Sequence, residues 1–261
     1  MEEIKTKSGL VGFYDIMGYQ SFLENNDAEI ATSEVLRIIS GISSRVNQHI
    51  SSILDALIDD ADKKNFSSQI KEYVGKIQWL VFSDTILMLL ECGSSDTFSH
   101  LIFVFAAGAL CRQMFDFGLP VRGAIKRGKY LITESCFAGR TIVEAYRTET
   151  SLNLAACAVE RQIYQDIKGS TKDTENLAIL NKMLVEYLTP LKNEQHEKMI
   201  LLNFLPIQSP KMSRLDTDVR QMVLNSFWAH NKDMEPSAQI KAKNTENFFR
   251  FLKHKMPDVF K

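Results

Sequence analysis

Two carboxylates in this chain stand where a fold would leave them able to do chemistry. Asp15 closes the apolar run in VGFYDIMGYQSFL, Val11 to Leu23, just before the chain breaks at Gly18 and a helix is predicted to start. A strand that delivers one acid to a turn and a helix start suits phosphates and metals, because the backbone N–H groups there point at an anion. Asp84 falls in the Ser83-Asp84 break between two β-rich runs, Ile77 to Phe82 and Thr85 to Glu91, which reads as the tip of a hairpin. If the first strand pairs beside that hairpin, the two carboxylates face each other across a gap that suits two hard divalent cations. Oxygen-only ligation favours Mg2+ or Mn2+ over zinc. A plainer reading has Asp84 closing an Asx-type turn and Asp15 capping a helix.

The elements that must position these acids follow from apolar periodicity. Leu10 to Tyr14 is suited to a central strand, and a helical pattern runs from Ala28 to about Asp62. Asp59 to Lys76 is charged and irregular. After the hairpin, Phe98 to Phe117 is an apolar helix closed by Gly118 and Pro120. Val121 to Lys126 reads as a strand, Arg127-Gly128 as a turn and Lys129 to Ile132 as a further strand. A helix from Arg140 to Glu149, a β-like run from Asn153 to Val159, helices at Glu160 to Ile167 and Glu175 to Leu188, and a last strand at Met199 to Leu205 complete the sheet region. Two helices, Asp216 to His230 and Ala238 to Lys255, follow without any strand signal. The expected architecture is α+β: a mixed, mainly antiparallel sheet flanked by helices over 1–207, with a C-terminal helical extension over 208–261.

Charge balance narrows the partners. With 31 basic against 32 acidic residues, the chain has no overall pull toward nucleic acid or an anionic membrane, so any phosphate site must be local. Four cysteines, Cys92, Cys111, Cys136 and Cys157, sit far apart with no CxxC pair, as free thiols of a reducing cytoplasm would. The N-terminus lacks the apolar core of a signal peptide. The most apolar window, Leu101 to Leu110, is about half of what a bilayer span needs.

Four segments in order resemble the catalytic domain of class III nucleotidyl cyclases. GFYDIMGYQSF at Gly12 to Phe22 is similar to their first metal motif, F-x-D-I-x-G-F, and FSDTILML at Phe82 to Leu89 to the hairpin with their second metal aspartate. VRGAIKRGKY at Val121 to Tyr130 resembles the R-V-G-I-x-x-G strand, and AGRTIVEAYRTE at Ala138 to Glu149 the G-x-x-V-N-x-A-x-R-x-E helix. The resemblance implies two divalent cations on Asp15 and Asp84, with the carbonyl of Ile16 as a further ligand. It implies triphosphate held by the N–H groups of Met17, Gly18 and Tyr19, and it puts Arg147 on the arginine that stabilises the transition state. In the family that arginine crosses from the other subunit, which implies a homodimer with its active sites at the interface. Lys198, before the last strand, falls near the family's phosphate-binding lysine. Arg122 and Lys126 share a strand face and, with Arg127, are candidates for an electropositive wall, or for a solvated face.

The departures bear on the base. The family's ribose-binding asparagine is Val143 here, the adenine-selecting lysine is Leu80, and its companion aspartate is Cys136. Cys136 matches guanylate cyclases but Leu80 does not, so the pocket suits neither purine well. The combination looks like the stand-alone bacterial pyrimidine cyclases of anti-phage signalling, which make cyclic UMP or cyclic CMP to activate a separate effector. That implies UTP ahead of CTP as substrate. A degenerate cyclase-like module that binds nucleotide or a partner, and a purine cyclase, remain the alternatives.

Overall fold

Among the described residues eight strands form one sheet, in the spatial order β2 (Gln78–Phe82), β3 (Thr85–Glu91), β1 (Thr6–Ile16), β4 (Val121–Ile132), β6 (Cys157–Val159), β8 (His196–Leu202) and β7 (Leu184–Pro190), with β5 (Phe137–Ala138) added beside β4. The computed structural model describes residues 6–27, 71–133, 136–170, 182–207 and 218–256, with isolated positions between 29 and 48. The helical pattern expected from Ala28 to Asp62 therefore lies largely outside the described residues. Strand β1 (Thr6–Ile16) is the centre, flanked by β3 (Thr85–Glu91) and β4 (Val121–Ile132), both antiparallel to it. Its near-continuous burial from Gly9 to Tyr14 is what a strand covered on both faces requires. Strand β2 (Gln78–Phe82) forms the edge beside β3, and among the described residues only the β4–β6 pair (β6, Cys157–Val159) is parallel. The mixed, mainly antiparallel α+β sheet expected from the sequence is present.

The two faces are unequally covered. One carries α2 (Thr97–Asp116), α4 (Arg161–Ser170), α5 (Val219–Phe227) and α6 (Pro236–Lys255) around the main core. The smaller core on the other face joins Val11, Phe13, Leu87, Leu89 and Tyr130 to Ile142 and Ala145 of α3 (Arg140–Ser151). Helix α2 starts at Asp96, whose carboxylate accepts the Ser99 N–H at 3.0 Å. By length and composition α2 is apolar enough to cross a membrane, which the ten-residue window read from the sequence had understated. Yet 89% of its apolar window is buried inside the fold. It is a core helix.

Three assignments are corrected. Arg127-Gly128 is not a turn: β4 runs unbroken for 12 residues because β1 stays paired with it throughout, Leu10 opposite Arg127 and Gly9 opposite Gly128. The helix expected to reach Leu188 gives way to β7 (Leu184–Pro190), paired residue for residue with β8 (His196–Leu202). Pairing with β8 outweighs the weak helical spacing of this Val-, Tyr- and Thr-bearing segment. Of the β-like run Asn153 to Val159, only Cys157–Val159 is strand.

The C-terminal helices are built into the main core. Phe249 of α6 meets Phe115 of α2 and Phe204 at ring separations of 5.3 and 5.6 Å, and Phe248 lies 4.9 Å from Tyr187 of β7. Both phenylalanines are fully buried. Phe249→Ala should therefore cost about 3–5 kcal/mol in a denaturant titration, against well under 1 kcal/mol for a helix that merely rests on the surface.

Candidate active site

Backbone pairing delivers the two acids to one place. Asp15, near the end of β1, sits in register between Thr85 of β3 and Arg122 of β4. The β2–β3 turn puts Ser83 at φ 53°, and the carbonyl of Asp84 accepts the N–H of Ile16 at 2.8 Å. The hairpin tip is thus tied to the residue after Asp15. Gly18 takes the left-handed conformation, φ 75°, that opens α1 (Tyr19–Glu24), and its carbonyl accepts the N–H of Phe22.

Arg122 organises the charges. Its Nη2 donates to Asp15 Oδ2 at 3.0 Å, its Nε to Glu149 Oε1, and its Nη1 to the carbonyl of Leu152 at 3.4 Å. Glu149, at the C-terminal end of α3, is 2% exposed and also accepts from the Thr150 hydroxyl at 3.0 Å. Burial pushes the Asp15 carboxyl above its ordinary value; Arg122 pulls it back, and the charge of Asp84 pushes it up again. Burial raises Glu149 too, against the pull of Arg122. Among the described residues no group of three or more His, Cys, Asp or Glu side chains gathers as a metal cage. Asp15 and Asp84 offer carboxylate oxygens only, the donor type that hard cations prefer.

The other sequence-predicted residues divide into separate places. The Met17 N–H is spent on the carbonyl of Pro120 at 2.9 Å, so this amide is not free for phosphate, unlike the expectation. Arg147 is exposed on α3, on the same side as Val143 and Tyr146, which are 45% and 50% exposed. Leu80 packs half-buried on the smaller core, and Cys136 is exposed in the turn before β5 (Phe137–Ala138), where its N–H bonds the Thr133 hydroxyl. Lys198 does not join the acids. It lines a cavity of about 210 Å³ with Lys126, Thr148, Glu160, Arg161 and Glu197. The electropositive wall is corrected likewise: Arg122 turns inward to carboxylates, and Arg127 pairs with Asp166 of α4 at 2.5 Å.

Two lysines absent from the sequence reading lie near the acids instead. Lys192, in the β7–β8 turn, feels Arg122, Lys241, Glu149 and Asp15, and partial burial lowers its pKa. Lys241 of α6 is lowered by burial and by Arg122, with Asp15 opposing. The hairpin turn that carries Lys192 was hidden because β7 had read as helix. The C-terminal segment also braces α1: the Asp233 N–H donates to the Ser21 hydroxyl at 2.6 Å, and Asn26 Nδ2 donates to the His230 carbonyl at 2.6 Å. Lys232, pushed down to about 8 by burial, donates to the carbonyls of Gly118 and Ser226 behind Gly18.

No family model matches this chain, and no curated protein matches it. Solved structures similar to it include a bacterial light-regulated adenylyl cyclase, at 12% identity and TM-score 0.49 over 88% of this chain, which spans 59% of that longer one. The adenylyl cyclase CyaB from P. aeruginosa is similar over 81% of this chain and all of its own, at 14% identity and TM-score 0.41. The guanylyl cyclase domain of a RhoGC fusion protein from Blastocladiella emersonii is similar over 77% of this chain and 97% of its own, at 13% identity and TM-score 0.44. Likeness at this level assigns neither activity nor substrate.

The Arg122 cluster sets stability. Arg122→Ala leaves Glu149 buried without its cation and should cost about 3–5 kcal/mol in chemical denaturation, most of it recovered in Arg122→Ala/Glu149→Gln. The raised carboxyls fix the sign of the pH dependence. Folding holds their protons more tightly, so their contribution is full below the unfolded values of about 4 and is lost as pH rises through the folded ones. Unfolding free energy measured against pH should show this fall, and Glu149→Gln should reduce it.

Proposed function

We propose that this protein is a metal-dependent nucleotidyl cyclase that converts a pyrimidine nucleoside triphosphate, UTP ahead of CTP, to the 3′,5′-cyclic monophosphate and pyrophosphate. The observation that carries the reading is the meeting of Asp15 and Asp84 at one end of the sheet, from strands that the sequence separates widely. The four cyclase-like segments in order support it. Asp15, Asp84 and the carbonyl of Ile16 would hold the divalent cations. Bound there, they would lower the pKa of the attacking 3′-hydroxyl and neutralise the departing pyrophosphate. The chain's own part is to hold the cations and tail, and to supply a guanidinium for the charge that develops in transfer.

Arg147 is that guanidinium in this reading. It is solvent-exposed beside Val143 and Tyr146, on the sheet face that α3 covers, where Phe82 is also 74% exposed. An open, partly apolar face with an unburied arginine suits a second copy of the chain, whose acids Arg147 would complete. The apolar Leu80 and Val143 give adenine no polar reader, which supports a smaller base. A cytoplasmic setting, a role in anti-phage signalling and a separate effector opened by the product complete the proposal. They rest on the motif resemblance.

One observation favours a second reading, a nucleotide-binding module without turnover: Arg122 already neutralises Asp15 from within. Product analysis separates the two. With Mn2+ and each of the four NTPs in turn, mass spectrometry should find cyclic UMP or cyclic CMP. A cyclic purine as main product contradicts the base assignment, and nucleotide binding without any cyclic product establishes the second reading. Asp15→Ala and Arg147→Ala should each lower turnover by about 10³-fold. Mixed together, they should regain about a quarter of wild-type activity, since half the dimers carry one intact composite site.

A further inference from the structure

The irregular segment between α3 and β6 is held from three sides. The carbonyl of Leu152 accepts from Arg122, and the carbonyl of Ser151 accepts the N–H of Lys192 at 2.9 Å. From α6, Asn244 Nδ2 donates to the Asn153 carbonyl at 2.8 Å, and the buried Thr245 hydroxyl accepts the Ala155 N–H at 2.9 Å. The same hydroxyl donates to the carbonyl of Lys241 at 2.8 Å. Lys241 is therefore one helical turn before the docking point and on the docked face, its side chain directed back along the helix. Three cations carried by β4, the β7–β8 turn and α6 thus gather beside Asp15.

Their charges are not matched pairwise. Arg122 is occupied by Asp15 and Glu149. Among the described residues neither Lys192 nor Lys241 forms a salt bridge, and each stands within electrostatic reach of the other and of Arg122. Asp15, which both lysines feel, and Glu149, which Lys192 feels, are already engaged by that arginine. A chain of phosphates offers the two ammonium groups a charged partner of their own.

We propose that Lys241, carried by the C-terminal helix α6, acts with Lys192 to bind the polyphosphate tail of the nucleoside triphosphate, which makes that helix part of the substrate site. This rests on the reading that the substrate is a nucleoside triphosphate, but the site can be probed without turnover.

The probe is inorganic tripolyphosphate, titrated calorimetrically into the full chain and into Lys241→Ala, Lys241→Gln, Lys241→Arg and Lys192→Ala. Wild type should bind it. Lys241→Ala, Lys241→Gln and Lys192→Ala should each bind about tenfold more weakly and Lys241→Arg within about threefold of wild type, while the melting temperatures stay within about 3 °C. In turnover assays Lys241→Gln should raise KM for the triphosphate far more than it lowers kcat. Absence of tripolyphosphate binding, or equal binding by wild type and both neutral Lys241 variants, overturns the proposal. Cyclic product formed with unchanged KM in Lys241→Gln also overturns it and leaves the cyclase reading standing. Lysine-dependent binding with no cyclic product from any NTP keeps the site and removes the cyclase.

Discussion

The guanidinium of Arg122 is the interaction on which the strand end depends. It ties β4 to Asp15 of β1, to Glu149 of α3 and to the carbonyl of Leu152, so four parts of the chain share one charge. A buried arginine between two carboxylates is costly to dehydrate and costlier to lose, because either acid left alone keeps its desolvation penalty. The arrangement also restrains Asp15. It holds the carboxylate through one oxygen while burial and Asp84 work against ionisation.

The sheet's two faces divide the labour. The face under α2, α4, α5 and α6 is closed by aromatic packing around Phe115, Phe204 and Phe249 and supplies the bulk of the core. The face under α3 has a small core and leaves Val143, Tyr146 and Arg147 outward. Close packing within β1–β4 depends on small residues. A Cβ on Gly123 would come within 2.2 Å of the Tyr14 ring, so only glycine on β4 leaves room for the buried ring that β1 carries next to Asp15. The C-terminal segment works on both sides of the acids, bracing α1 through Ser21 and Asn26 and docking α6 on the segment after α3.

What the sequence made legible was local. Strand β1, the Ser83-Asp84 hairpin, α2 and α3 each have an apolar rhythm or a break that needs no distant partner to read. Asp15 and Asp84 were legible for the same reason, as acids at the ends of such elements. Strand β7 was not, because its pairing with β8 decides it, and with β7 went the turn that carries Lys192. Glu149 was quoted inside a motif yet has its effect through Arg122, 27 positions away, and Asp15 meets that arginine across 107. Lys241 lay in a helix with no chemical signature, and only the docking of Asn244 and Thr245 reveals where it stands.

In the proposed function Asp15 and Asp84 hold divalent cations against a nucleoside triphosphate. Electron paramagnetic resonance of Mn2+, titrated into the protein with a non-cyclisable α,β-methylene analogue of UTP, measures that directly. Two bound ions per site are expected in the wild type. At least one should be lost in Asp15→Asn and in Asp84→Asn, with both variants folded. Analogue binding that recruits no Mn2+, or the same number of ions in both variants as in wild type, would contradict this reading.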